Sequence, residues 1–220
     1  MTPPHPTWRL IPSRFPPVNA FEHVASADDL AAVMELEGWT NDRLVAERLA
    51  RLPRAQWLFG TPNASVVMAA FLHAAPAGGR FNGPELGAWY CAAALATAVA
   101  EVAHHLRREA LARGLPEMRR LFRGYTARLL GEDYLDLRGA ARPDLYAPSS
   151  YAAAQPFGEA ARAEGRAGIL YDSLRHTGGH NAAVLWPRLV TEVTQDAHYD
   201  VFVPLHGKMV VRTVGEGRQG

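Results

Sequence analysis

The places where helical and extended patterns fall along this chain restrict its fold more than any other property. Leu44, Val45, Leu49 and Leu52 recur at helical spacing, and residues 95–112 carry a longer helical pattern. Residues 88–92 (AWYCA) suit a strand, and residues 118–130 alternate enough to read as strand more than helix. From Gly168 onward four short apolar segments follow, at 168–171, 183–186, 199–203 and 209–214. Helices gathered early and strands late do not make the regular alternation of a doubly wound parallel sheet. They predict an α+β domain with a mixed sheet at its core and helices flanking it.

Local signals refine that outline. The first 17 residues hold six prolines and are read as extended. Residues 28–36 read as a helix with acidic residues at its start, and Asn41 is a plausible N-cap for a helix over 42–52 that Pro53 closes. Residues 65–72 (SVVMAAFL) are too uniformly apolar to assign by period. Gly78-Gly79 opens a loop, and Gly114 with Pro116 ends the long helix. Ser149 or Ser150 could cap a helix reaching about Glu164, which Pro156 and Gly158 would disturb. The resulting division is an N-terminal extension over 1–60 packed on the domain, one domain over 61–214, and a flexible tail over 215–220.

Composition removes several classes of function. With 220 residues, 48% hydrophobic, there is one substantial core. A net charge of +1 supplies no field for gathering nucleic acid or anionic lipid. A single cysteine, Cys91, excludes an internal disulfide and a cysteine-based zinc site. The longest weakly polar run, residues 87–100, is shorter than the ~20 residues of a membrane span. No signal peptide is visible before Arg9, so a cytoplasmic protein is expected. The cations are 22 arginines and one lysine, Lys208. Codon bias explains most of that surplus, but an arginine fork grips phosphate at two points where lysine cannot.

Several motifs fail on context. Gly215–Gly220 matches GxGxxG but leaves no room for the helix that would bind a phosphate. No Walker A pattern or GxSxG elbow occurs, and His176 and His180 flank Gly178-Gly179, which argues against a helix presenting both to a metal. No metal is expected.

Three stretches carry chemistry together: Gly78-Gly79-Arg80-Phe81-Asn82-Gly83, then Trp89-Tyr90 followed by Glu101 inside an Ala/Val helix, then Tyr171-Asp172-Ser173-Leu174-Arg175-His176-Thr177-Gly178-Gly179. With GRFNGPELGAWYCAA, AVAEVAHH and GILYDSLRHTGGHNAAVLWPRL, they resemble the RES-domain family, named for an arginine, a glutamate and a serine; TWRLIPSRFPPVNAFE, LEGWTNDRL and SVVMAAFLH resemble its N-terminal part. The resemblance covers most of residues 8–190, and the Arg80–Tyr90–Glu101 spacing is its most specific part. Beyond Tyr199 the match loosens.

The resemblance implies a fold like that of ADP-ribosyltransferase toxins. It also implies a toxin of a bacterial toxin–antitoxin pair that destroys NAD by cleaving its nicotinamide–ribose bond, in some relatives by phosphorolysis. NAD is then a substrate, inorganic phosphate a co-substrate, and no cofactor is required. The implied partner is an Xre-type helix-turn-helix antitoxin, with a homodimer inside the hetero-oligomer and no direct nucleic-acid or membrane binding. A protein ADP-ribosyltransferase, or an inactive RES-like interaction protein, are the alternatives. Arg80, Tyr90, Glu101 and Ser173 are the expected catalytic residues, with Asn82 and Arg175 touching the dinucleotide. Glu101 would stabilise the oxocarbenium-like ribose, Arg80 grip a phosphate, Tyr90 offer a flat face, and Ser173 donate a hydrogen bond rather than act as nucleophile.

Overall fold

The computed structural model describes residues 2–14, 21–26, 28–29 and 43–214. One sheet runs through them, built from β1 (Thr7–Pro12), β2 (Trp89–Ala92), β3 (Glu117–Leu129), β4 (Tyr134–Asp136), β5 (Gly168–Asp172), β6 (His180–Val184), β7 (Val190–Pro204) and β8 (Val210–Val214). The strand order is β4-β5-β6-β2-β1-β3-β7-β8. Only β4 and β5 pair in parallel; every other neighbouring pair is antiparallel. The helices described are α1 (Arg43–Arg51), α2 (Ala64–Leu72), α3 (Leu95–Ala112) and α4 (Ala154–Ala163). The α+β expectation, a mixed sheet with flanking helices, therefore holds.

The pleat distributes side chains to two faces. One face packs Trp89, Cys91, Tyr125, Ala127, Leu170 and Val184 against α2, Phe21 and Trp57. Phe21, Met68, Phe71 and Trp89 are fully buried there, each worth ~1.5–3 kcal/mol of burial. Two clusters share the other face. Leu10, Phe122, Tyr199, Val201 and Val203 pack against Ala98, Val99, Ala103 and Leu106 of α3. Ile169, Tyr171, Ala183 and Phe81 pack against Ala154 and Ala161 of α4. The seam between these two clusters is where a cavity opens.

Several expectations are corrected. Residues 7–12 are no extension laid on a domain: β1 hydrogen-bonds to β2 on one side and to β3 on the other, in the middle of the sheet. The strand expected at 183–186 lies at His180–Val184, because the chain turns away at Leu185 and enters a short 3₁₀ turn at Pro187–Leu189. The strand expected at 199–203 is the end of the fifteen-residue β7. Strand β4 carried no recognisable pattern, being three residues long. Neither Ser149 nor Ser150 caps α4, which starts at Ala154 behind an Ala153 N-cap without a side-chain bond. The Ser150 hydroxyl instead accepts from Ala152 N–H at 3.3 Å in the preceding turn. Apart from Asp28 and Asp29, the helix expected over 28–36, the Asn41 cap and the tail over 215–220 lie outside the described residues.

Pro156 and Gly158 do not break α4. Pro156 is in the first turn, where its missing N–H would have no intrahelical partner. Gly158 has a packing reason: a Cβ there would stand 2.0 Å from the carbonyl oxygen of Phe81. Helix α4 thereby lies directly on the loop that carries Arg80. Gly158→Ala is expected to lower stability by about 1–3 kcal/mol through overpacking, measured as a reduced urea midpoint at unchanged slope.

Candidate active site

Helix α3 brings Glu101 to the seam in its second turn, one turn beyond Thr97 on the same face. The loop joining β5 to β6 docks against that face. Ser173 N–H donates to the Gly179 carbonyl at 2.8 Å and Gly179 N–H to the His176 carbonyl at 2.9 Å, closing the loop. The Thr97 hydroxyl and His176 Nδ1 share a hydrogen bond of 2.8 Å. Only glycine fits at 179, since a Cβ would lie 2.6 Å from Thr97 Oγ1 and 2.8 Å from His176 Nδ1.

With the loop docked, Ser173 Oγ donates to Glu101 Oε1 at 2.7 Å. Asn181 Nδ2 donates to the same oxygen at 2.8 Å. The serine hydroxyl also accepts from Arg175 and His176 N–H, each at 3.1 Å. Ser173 is thus a brace that orients the carboxylate, with its own proton held by Glu101. Oε1 is occupied, and no described residue bonds Oε2.

Tyr90 and Asn82 organise the loop on the opposite wall. The Tyr90 hydroxyl donates to Asn82 Oδ1 at 2.7 Å and accepts from Phe81 N–H at 2.8 Å. Burial raises the phenol pKa further from physiological pH. The Asn82 amide donates to the carbonyls of Gly83 (2.7 Å) and Leu86 (3.1 Å). Asn82 is only 2% exposed. The expected contact between Asn82 and a dinucleotide is therefore corrected: its carboxamide is consumed within the loop. Gln155, Glu159 and Arg162, spaced along one face of α4, bond Ala77 and Gly79, Gly83, and Gly87 respectively, clamping the same loop.

This scaffold presents Arg80, whose Nη1 donates to the carbonyls of Leu145 (2.8 Å) and Ala147 (3.2 Å). Its guanidinium carbon lies 4.9 Å from the Tyr151 ring centre. Arg175 donates to the Pro148 carbonyl at 2.9 Å. Sequence reasoning missed a third arginine. Arg9 of β1 donates to the Tyr90 carbonyl at 2.8 Å and stacks on Trp89 at 4.7 Å. Burial pushes its pKa down to about 10, still charged at neutral pH. Its signal was a lone cation inside the apolar, extended TWRLIP. Asn181 was missed too, although it follows His180 at the start of a strand otherwise made of alanine and valine.

Arg9, Arg80, Tyr90, Glu101, Tyr171, Arg175 and Asn181 line one cavity of about 300 Å³. Ser173 and Asn82 are not among its lining residues. Cross-strand register places Tyr171 opposite Asn181 and Asn181 opposite Ala92, one row across its floor. None of the three arginines has a described carboxylate within ion-pair distance, so their charge faces the cavity with only carbonyls and rings as partners. The arrangement suits an anion held beside a fixed carboxylate.

The family model for the RES domain matches residues 48–203. The chain belongs to the RES-domain family. The matched span contains Arg80, Tyr90, Glu101 and Ser173, whereas Arg9 precedes it even though β1 is central to the sheet. The uncharacterized protein y4oC of Sinorhizobium fredii (strain NBRC 101917 / NGR234) is 52% identical over 40 residues, which is 18% of this chain and only 17% of that relative's length. The crystal structure of the M. tuberculosis MbcT–MbcA toxin–antitoxin complex is 18% identical, covering 57% of this chain and 72% of the other at a TM-score of 0.44.

Two outcomes follow for this RES domain. Tyr90→Phe leaves the buried Phe81 N–H without its acceptor and should cost about 1–3 kcal/mol, read by chemical denaturation. His104 lines the cavity, and burial, reinforced by Arg175 and His105, lowers its pKa from 6.5 to about 4. Between those values the unfolded chain binds the extra proton and the folded protein does not, so this contribution to stability is lost as pH falls through the window. His104→Gln should flatten the fall in unfolding free energy between pH 7 and pH 4.

Proposed function

We propose that this RES domain consumes NAD, cleaving the nicotinamide–ribose bond with inorganic phosphate as acceptor, as a toxin held in check by an antitoxin. The observation that carries the reading is Glu101, fixed through Oε1 by Ser173 and Asn181 in a cavity walled by three arginines without carboxylate partners.

The chemistry asks for little more. Nicotinamide leaves as a neutral base from a cationic pyridinium, so no general acid is needed. The ribose develops oxocarbenium character, and a fixed carboxylate stabilises that charge without reorganising. Glu101 Oε2, without a described protein donor, takes a ribose hydroxyl or faces the anomeric carbon. Arg80 and Arg9 hold the pyrophosphate, and the Tyr90 and Tyr171 rings provide flat walls for base and sugar. NAD is the substrate in this reading, with no cofactor. Family resemblance adds the Xre-type helix-turn-helix antitoxin and a homodimer within the complex. No described helix is long and apolar enough to cross a membrane, and a cytoplasmic site of action is part of the proposal.

Purified protein should release nicotinamide and ADP-ribose phosphate from NAD only when phosphate is present, resolved by chromatography. Phosphate-independent formation of ADP-ribose, or label transferred to protein, would overturn phosphorolysis. Glu101→Gln should lower kcat by at least about 10²-fold with folding retained. Arg80→Ala should raise KM for NAD by about tenfold or more.

A further inference from the structure

A second cavity, of about 440 Å³, meets the first along a shared wall. His104 and Arg175 line both. Helix α3 explains the junction. Ala100, Ala103, His104 and Arg107 form one stripe along it, and Thr97, Glu101 and His104 the adjacent one. A ligand crossing His104 from the second cavity arrives one helical turn from Glu101.

The second cavity is lined by Arg107, Arg175 and Lys208, with no carboxylate among its lining residues. Arg107 donates to the carbonyls of Pro204 (3.2 Å) and Gly207 (3.0 Å), holding the turn between β7 and β8 over α3. Those bonds leave its charge uncompensated. Lys208, the chain's single lysine, is exposed on that turn and makes no described hydrogen bond or ion pair. At the junction, His104 Nε2 is buried without a hydrogen-bond partner. Several arginines elsewhere are neutralised, as where Arg113 and Arg120 share Glu109, Arg119 pairs with Asp200, and Arg166 with Asp133, though Arg48 too bonds only carbonyls. Arg107, Arg175 and Lys208 thus stand together, without a described carboxylate partner, in the groove that joins the first cavity.

We infer that this groove is the binding site and entrance of the acceptor oxyanion, an inorganic phosphate dianion, delivered past His104 and Arg175 to the ribose held at Glu101. The inference rests on the proposed NAD phosphorolysis and deepens it. In the step itself a phosphate oxygen forms the bond to the anomeric carbon. The carbon–nitrogen bond breaks with its electron pair going to the nicotinamide ring, which leaves neutral, and the product phosphate ester releases its proton to solvent. A groove that concentrates phosphate also gives the anion its advantage over water as acceptor.

Lys208 lies outside the NAD cavity and its side chain holds nothing in place, so reversing its charge tests the groove cleanly. Lys208→Glu should raise KM for phosphate about tenfold, with KM for NAD unchanged and Lys208→Arg restoring near wild-type values. Titration with inorganic phosphate in the absence of NAD, followed by ³¹P line broadening, should show the same order of affinities. An unchanged phosphate affinity and KM in Lys208→Glu overturns the inference while leaving NAD cleavage standing. A raised KM for NADP with phosphate unaffected also overturns it, assigning the groove to a dinucleotide phosphate. If the wild-type protein cleaves NAD without phosphate, or not at all, the functional reading fails, and the ³¹P titration still decides whether the groove binds an oxyanion.

Discussion

Glu101 accepts hydrogen bonds from Ser173 and Asn181 on one carboxylate oxygen, and the rest of the site is arranged around that junction. It ties α3 to both the loop after β5 and the start of β6, elements 72 and 80 residues distant in sequence. Bonds to an ionised group contribute about 1.5–3 kcal/mol each, enough to lock the carboxylate's rotamer and the loop together. The same loop, drawn onto α3 through Thr97 and His176, carries Arg175 to the boundary of the two cavities. Loss of either donor would loosen the carboxylate and the loop at once.

The arginines divide by partner. Many on the outer surface meet carboxylates in exposed pairs, as at Arg128–Glu192 and Arg142–Asp144, worth little individually. Arg9, Arg80, Arg107 and Arg175 bond only backbone carbonyls. A carbonyl orients a guanidinium without neutralising it, so the charge stays available to an anion. A chain with net charge +1 can in this way be locally strongly positive, a distinction that composition averages away.

Legibility from sequence followed the length and environment of each element. Residues 95–112 were readable to the residue because α3 is amphipathic and ends in a left-handed glycine, Gly114 at φ +65°. Residues 65–72 were not, because α2 buries Ser65, Val67, Met68, Phe71 and Leu72 and a helix enclosed on several sides loses its periodic signature. The expected N-terminal extension failed for a different reason. Six residues of Thr7–Pro12 say only that the segment is extended, and nothing local says that it slots between β2 and β3. Arg80, Tyr90, Glu101 and Ser173 were found through their spacing in a known family, whereas Arg9 and Asn181 lie inside the span of that resemblance without being residues it singles out.

From the sequence alone came the α+β class, the position of the long helix, and several of the polar side chains that meet at the cavity. These depend on neighbours a few residues apart, and hydrophobic period and glycine placement record them directly. Only the tertiary structure decided which way each polar group turns. Asn82 faces its own loop, the Tyr90 hydroxyl braces that loop, Ser173 holds Glu101, and Arg9 enters from a central strand. A polar atom's partner is set by strand register and helix docking across long stretches of chain, and residue spacing carries no record of either.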